Sequence, residues 1–209
     1  MKKNITIIVF DFDETLYYSD TALLSYINFI KQAILSLSTH TEEEANKIIH
    51  QYGFDSRGEN RVSFGKNCEN FGVKKQDWEE YKKDHFFEVD YNNTKIVDNS
   101  LIKKLSKEYT CLILSNELYE NIQYKAKKLG IELSSFDKIY APTKSSTEPC
   151  LSKKETYVQI SKEYNTPYKE IFAIGDRYQV DIKPLVELGG FGTQISNTEE
   201  LNTLLKTLL

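Results

Sequence analysis

The run Ile5-Thr6-Ile7-Ile8-Val9-Phe10 leads directly into Asp11-Phe12-Asp13-Glu14-Thr15. Its apolar residues are nearly continuous rather than alternating. That pattern fits a strand covered on both faces, as strands are in a parallel sheet. Asp11 and Asp13 are one residue apart, so a strand ending there turns both carboxylates toward the same edge. Anions held that close repel one another. A fold keeps them only with a cation, a shared proton or strong hydrogen bonds between them.

Residues 109–114, 136–140 and 171–174 are further runs expected to form buried strands, and 191–195 is a weaker one. Helical patterns separate them. Leu118, Ile122, Ala126 and Leu129 form one stripe, closed by Gly130 as a C-terminal cap. Tyr157, Ile160 and Tyr164 mark a second, with Ser152 as its N-cap. Leu185 and Leu188 fit a short helix, and Leu201, Leu204 and Leu208 a last one. This alternation predicts an α/β fold with a Rossmann-like, doubly wound parallel sheet.

The stretch from about Asp20 to Tyr91 breaks the alternation. Leu23, Ile27, Ile30, Ile34 and Leu37 recur at helical spacing, and Thr41 with Glu44 forms a capping box before the next helix. Trp78, Tyr81 and His85 imply a third helix. The expected organisation is a core of residues 1–18 and 93–209, with an α-helical insert at 19–92 and the sheet resuming near Ile96. An insert placed just after a carboxylate-bearing strand end is suited to cover a site, since ligands of open α/β sheets bind beyond the carboxyl ends of the strands.

A chain of 209 residues with 40% hydrophobic content can bury a substantial core. A net charge of −4 gives no reason to expect nucleic acid or an anionic membrane as partner. Cys68, Cys111 and Cys150 are an odd, scattered set, which argues for a reducing, cytoplasmic setting over a disulfide framework or a zinc site. The apolar stretch after Lys2 and Lys3 is too short for a signal peptide.

The other strands also end in polar clusters. Ser115-Asn116 follows the second run, Lys144, Lys153 and Lys154 follow the third, and Gly175-Asp176 follows the fourth, with Asp181 five residues beyond Asp176. In a parallel sheet these ends face one way. Asp11, Asp13, Ser115, a lysine and Asp176 therefore converge on one edge.

With these residues in strand order, the chain resembles the haloacid dehalogenase-like hydrolase superfamily over essentially its whole length. Asp11-x-Asp13-x-Thr15 matches the first motif, Ser115 the second, and Gly175-Asp176-x-x-x-x-Asp181 the fourth. The helical insert corresponds to the family's type 1 cap. The finer likeness is to small-molecule phosphatases of the pyrimidine 5′-nucleotidase or phosphoglycolate phosphatase kind.

The resemblance implies a Mg²⁺-dependent phosphatase acting on a small phosphorylated metabolite, a nucleotide or sugar phosphate included. Asp11 would be the nucleophile and Asp13 the acid and base. Mg²⁺ would be held by Asp11, the backbone carbonyl of Asp13, and Asp176, with Asp181 contributing directly or through water. Ser115 and the Asn116 backbone, at a helix N-terminus, would hold phosphate oxygens, with Thr15 counted among the phosphate-binding residues and also orienting Asp13 or its neighbours by hydrogen bonding.

The third motif departs from the family's Lys-Pro pair, because Glu148 precedes Pro149. Lys153, beside the Ser152 cap and able to point back at the strand edge, takes the role of the lysine. Lys144 is the runner-up, with Lys154 the third possibility. Within the family, dehalogenases lack the Asp13 carboxylate and phosphonatases carry a small residue there. A sugar-phosphate mutase shares every core residue, and a catalytically idle binding protein of the same fold is the rival from outside enzymology. Arg57, Arg61 and Lys66 are candidate anion contacts in the insert. Tyr17, Tyr18, Trp78 and Phe86 are candidate lining for a base or sugar, though solvated charges and core packing account for both groups.

Overall fold

The computed structural model describes residues 4–54, 57, 64–84, 91–143 and 151–209. Of the residues considered above, Lys2, Lys3, Arg61, His85, Phe86, Lys144, Glu148, Pro149 and Cys150 lie outside that set, as does the side chain of Lys66. The chain divides into two compact units, Met1–Tyr18 with Thr94–Leu209, and Ser19–Asn93.

Among the described residues the first unit has seven strands: β1 (Ile7–Phe10), β2 (Tyr17–Tyr18), β3 (Lys95–Ile96), β4 (Thr110–Leu114), β5 (Lys138–Tyr140), β6 (Ile171–Gly175) and β7 (Phe191–Gln194). Five of them form one parallel sheet in the order β5-β4-β1-β6-β7. β1 is central, with Val9 opposite Leu112 on one side and Ala173 on the other. The chain leaves β1 toward one edge and later crosses to the other, so the switch point of the winding lies beside β1. The carboxyl ends of β1, β4 and β6 open there.

Helices α5 (Asn99–Leu105), α6 (Tyr119–Leu129), α7 (Lys153–Glu163), α8 (Lys183–Val186) and α9 (Thr198–Leu208) complete this unit. Ile7, Val9, Leu112, Leu114 and Ala173 pack with Tyr157, Ile160, Ile182 and Leu185 in one buried cluster. Successive strand residues face opposite ways, and Ile8, Phe10, Cys111, Ile113 and Ile174 are equally buried. Both faces are therefore covered, which is why these strands read as unbroken apolar runs.

The sheet does not resume near Ile96 as expected. Lys95–Ile96 instead pairs antiparallel with Tyr17–Tyr18, in a two-stranded ribbon of its own, and the main sheet continues only at Thr110. Neither short strand carries the apolar run that marks a covered strand. The ribbon staples together the two chain segments that flank the helical unit.

That unit holds α1 (Asp20–Leu37), α2 (Glu42–Gln51), the single turn α3 (Phe64–Asn67) and α4 (Lys75–Asp84). Its core is aromatic: Phe64 packs edge-on to Trp78 with centroids 4.7 Å apart, and Tyr52 to Phe71 at 4.5 Å. Trp78 is a core residue of this unit. Arg57 is held inside the same unit, donating to the Asp20 carboxylate at 2.5 Å and to the Ser19 carbonyl at 2.7 Å.

Local signals set the helix ends. Thr41 with Glu44 and Ser152 with Glu155 form complete capping boxes, and Gly130 closes α6 at φ +74°. Ser152→Ala should lower the midpoint of urea denaturation by the equivalent of about 1 kcal/mol, because it leaves the Glu155 amide at the start of α7 without its acceptor.

Candidate active site

The tight turn after β1 sets the site. Leu16 N–H donates to the Phe12 carbonyl at 3.0 Å, and Glu14 takes φ +57°, a left-handed conformation that costs a non-glycine residue energy. Asp11 is still in register with the sheet, its N–H donating to the Ile174 carbonyl at 2.8 Å. Its side chain is thereby held beside the end of β6.

β6 ends at Gly175, and the chain then enters a π-helical turn, Tyr178–Ile182, of the kind that recurs at functional sites. The turn carries Asp181 back over the strand end. A Cβ on Gly175 would stand 2.4 Å from the Asp181 Cβ. Only glycine leaves room for that carboxylate.

One oxygen each from Asp11, Asp176 and Asp181 lie within 4.8 Å of one another. The Lys153 ammonium, in the first turn of α7, donates to Asp11 Oδ1 at 2.6 Å and to Asp181 Oδ1 at 2.5 Å. It is only 6% exposed. Burial disfavours its charge, but Asp11 and Asp181 outweigh that and hold its pKa above the ordinary lysine value. Lys154 faces elsewhere, pairing with Glu187 at 2.7 Å on the surface.

One ammonium does not balance three carboxylates. Burial, opposed by Lys153 and reinforced by Asp181, pushes the Asp11 pKa up to about 6. Burial, together with Asp11 and Asp181, pushes Asp176 up to about 8. Arg177 lies 3.8 Å from Asp176 and only partly offsets this. Converging oxygen donors with surplus negative charge fit a hard divalent cation. Asp181 is the least available of the three, because its Oδ2 accepts from the Arg177 N–H at 2.9 Å while Oδ1 serves Lys153.

Asp13 stands apart from this cluster. Its Oδ1 accepts from the Tyr17 hydroxyl at 2.5 Å and from the Lys125 ammonium at 2.8 Å. Lys125 also donates to Glu117 Oε2 at 2.7 Å. Burial works against the Lys125 charge, but Asp13, Tyr17 and Glu117 together raise its pKa well above the usual value.

Two expectations need correction. The Thr15 hydroxyl is buried and makes no hydrogen bond, so it does not orient Asp13; Tyr17 and Lys125 do. Asn116 is not at a helix N-terminus either. Ser115 Oγ accepts from the Glu117 N–H at 3.1 Å in a turn, Asn116 is exposed, and α6 begins only at Tyr119.

Lys125 and Glu117 belong to none of the sequence motifs above. A signal was present: Lys125 is three residues after Ile122 and four before Leu129, on the inward stripe of α6, where a lysine needs an anionic partner.

Residues 5–189 match the family of haloacid dehalogenase-like hydrolases. The chain belongs to that family. The haloacid dehalogenase-like fold recurs in a candidate phosphatase from Clostridium difficile, at 17% identity and TM-score 0.63 over 100% of both chains. It recurs in a predicted phosphoglycolate phosphatase from Haemophilus somnus, at 16% identity and TM-score 0.59, again over 100% of both. A 2-haloacid dehalogenase from Pseudomonas syringae also shares it, at 14% identity and TM-score 0.54 over 98% of this chain and 100% of that one. Fold alone thus spans more than one haloacid dehalogenase-like chemistry. No curated protein sequence matches the chain.

A carboxyl group whose pKa is raised on folding favours the folded state at low pH. That contribution is lost as pH rises through about 8 for Asp176. Asp176→Asn should therefore raise the melting temperature of metal-free protein above pH ~8, measured by differential scanning calorimetry.

Proposed function

We propose that this chain is a Mg²⁺-dependent phosphatase that hydrolyses a small phosphomonoester through an aspartyl-phosphate on Asp11. The observation that carries the reading is the different partners of two neighbouring carboxylates. Asp11 belongs to the acidic cluster with Asp176 and touches Lys153, while the Asp13 carboxylate bonds to Tyr17 and Lys125. That is the division of labour a nucleophile and a proton carrier require.

A carboxylate oxygen of Asp11 attacks phosphorus as the ester P–O bond breaks, and the leaving oxygen takes its proton from Asp13. Asp13, now ionised, removes a proton from water. The hydroxide attacks phosphorus, the bond to Asp11 breaks and phosphate leaves. Lys153 keeps Asp11 in place and offsets the charge that gathers between it and the phosphoryl group. Ser115, at the end of β4, supplies a hydroxyl for a phosphate oxygen. Mg²⁺, held by Asp11, the Asp13 carbonyl and Asp176, would neutralise phosphoryl charge. The Asp13 carboxylate also favours phosphate chemistry over the dehalogenase chemistry seen elsewhere on this fold. The helical unit, residues 19–93, is the family's cap in this reading.

Wild-type protein should release phosphate from p-nitrophenyl phosphate and from a panel of nucleotide and sugar phosphates, and only with Mg²⁺ present. Asp11→Asn should abolish release, and Lys153→Ala should lower kcat by about 10²–10³-fold. Isomerisation of a sugar phosphate without phosphate release would identify a mutase instead. No turnover across the panel would leave the idle binding protein.

Asp13→Asn should slow turnover by about 10²-fold or more while Mg²⁺ still raises the melting temperature. Asp176→Asn should lose that Mg²⁺-induced rise. If Asp13→Asn lost it instead, the assignment of roles would be overturned.

A further inference from the structure

Lys125 is a buried-side cation on α6 whose sequence partner in space is 112 residues away. Its ammonium lies between two carboxylates, Asp13 at 2.8 Å and Glu117 at 2.7 Å. Glu117 is itself fixed. Its Oε1 accepts from the Leu118 N–H at 2.8 Å and from the Asn121 side chain at 2.9 Å. Its own N–H donates to Ser115 Oγ at 3.1 Å. An unbroken set of bonds therefore runs from the turn after β1 to the turn after β4. A loose carboxylate on a short turn would sample several rotamers, and one anchored by an ammonium and a hydroxyl samples few.

Resting on the phosphatase reading above, we propose that Lys125 is a positioning residue for Asp13, and that with Glu117 it locks the proton carrier to the loop bearing Ser115. Lys125 does not touch the reacting atoms in this account. It fixes where the Asp13 proton is delivered relative to a phosphate held at Ser115, and small misplacements of such a group are costly.

The test exploits the leaving group. An alkyl phosphate such as glycerol phosphate needs a proton on its departing oxygen, whereas p-nitrophenyl phosphate needs little help. Lys125→Met should lower kcat/KM for the alkyl ester by about 10²-fold and for p-nitrophenyl phosphate by less than about tenfold. Lys125→Arg should recover much of the loss. Glu117→Gln, which keeps the lysine but weakens its second anchor, should give a smaller loss with the same leaving-group pattern and covers the case in which Lys125→Met fails to fold. In an Asp13→Asn background, Lys125→Met should cost almost nothing more, because the group it positions is already disabled.

Equal losses on both esters, or full additivity with Asp13→Asn, would overturn the positioning role while leaving the phosphatase intact. A wild-type protein inactive on every ester would overturn the phosphatase reading itself, and this one with it.

Discussion

The site turns on one ammonium between carboxylates. Asp11 and Asp181 approach the same point from two different strand ends, and both are almost fully buried. Without a shared cation, that meeting would cost several kcal/mol in desolvation and repulsion. Lys153 makes it tolerable, bonding to both at once. It also explains features at a distance: a complete capping box at Ser152 fixes the first turn of α7, and glycine at 175 clears space for Asp181.

Charge balance nevertheless remains incomplete. Asp176 sits in the same acidic cluster, with the Arg177 guanidinium 3.8 Å away. The upward shifts of Asp11 and Asp176 are the physical signature of that surplus. Perturbed acids of this kind cluster at functional sites. Asp13 is treated differently. It has its own cation, Lys125, and its own hydroxyl, Tyr17, so two acids one residue apart have different hydrogen-bond partners, although the Asp13 charge still adds to the upward push on Asp11.

Much of this was legible in the chain. The three inner strands, β1, β4 and β6, were readable because burial on both faces forces continuous apolar runs, while the edge strands β5 and β7 are only partly buried and carry a weaker signal. Asp11, Ser115 and Asp176 were readable because they terminate those runs, and a parallel sheet sends its carboxyl ends to one edge. The Thr41 and Ser152 caps were readable because a capping box lies within four residues. The β2–β3 ribbon was not, since Tyr17–Tyr18 and Lys95–Ile96 carry no run and pair across the whole helical unit. Thr15 misled for a related reason: its place in a motif implied a bond that depends on where its hydroxyl ends up, and it ends up buried with none.

What the sequence determined by itself was periodicity: which segments are strands or helices, how they alternate, and which polar residues stand at strand ends. Those follow from local propensity and from burial, which leave their mark on neighbouring positions. What only the tertiary structure decided was partnership across distance. Lys153 rather than Lys154 bonds to Asp11, Asp181 spends both oxygens on Lys153 and the Arg177 amide, and Lys125 reaches Asp13 from another helix. Such pairings depend on helix rotation and strand-end spacing to within an ångström, and no local pattern of residues encodes a distance between segments far apart in the chain.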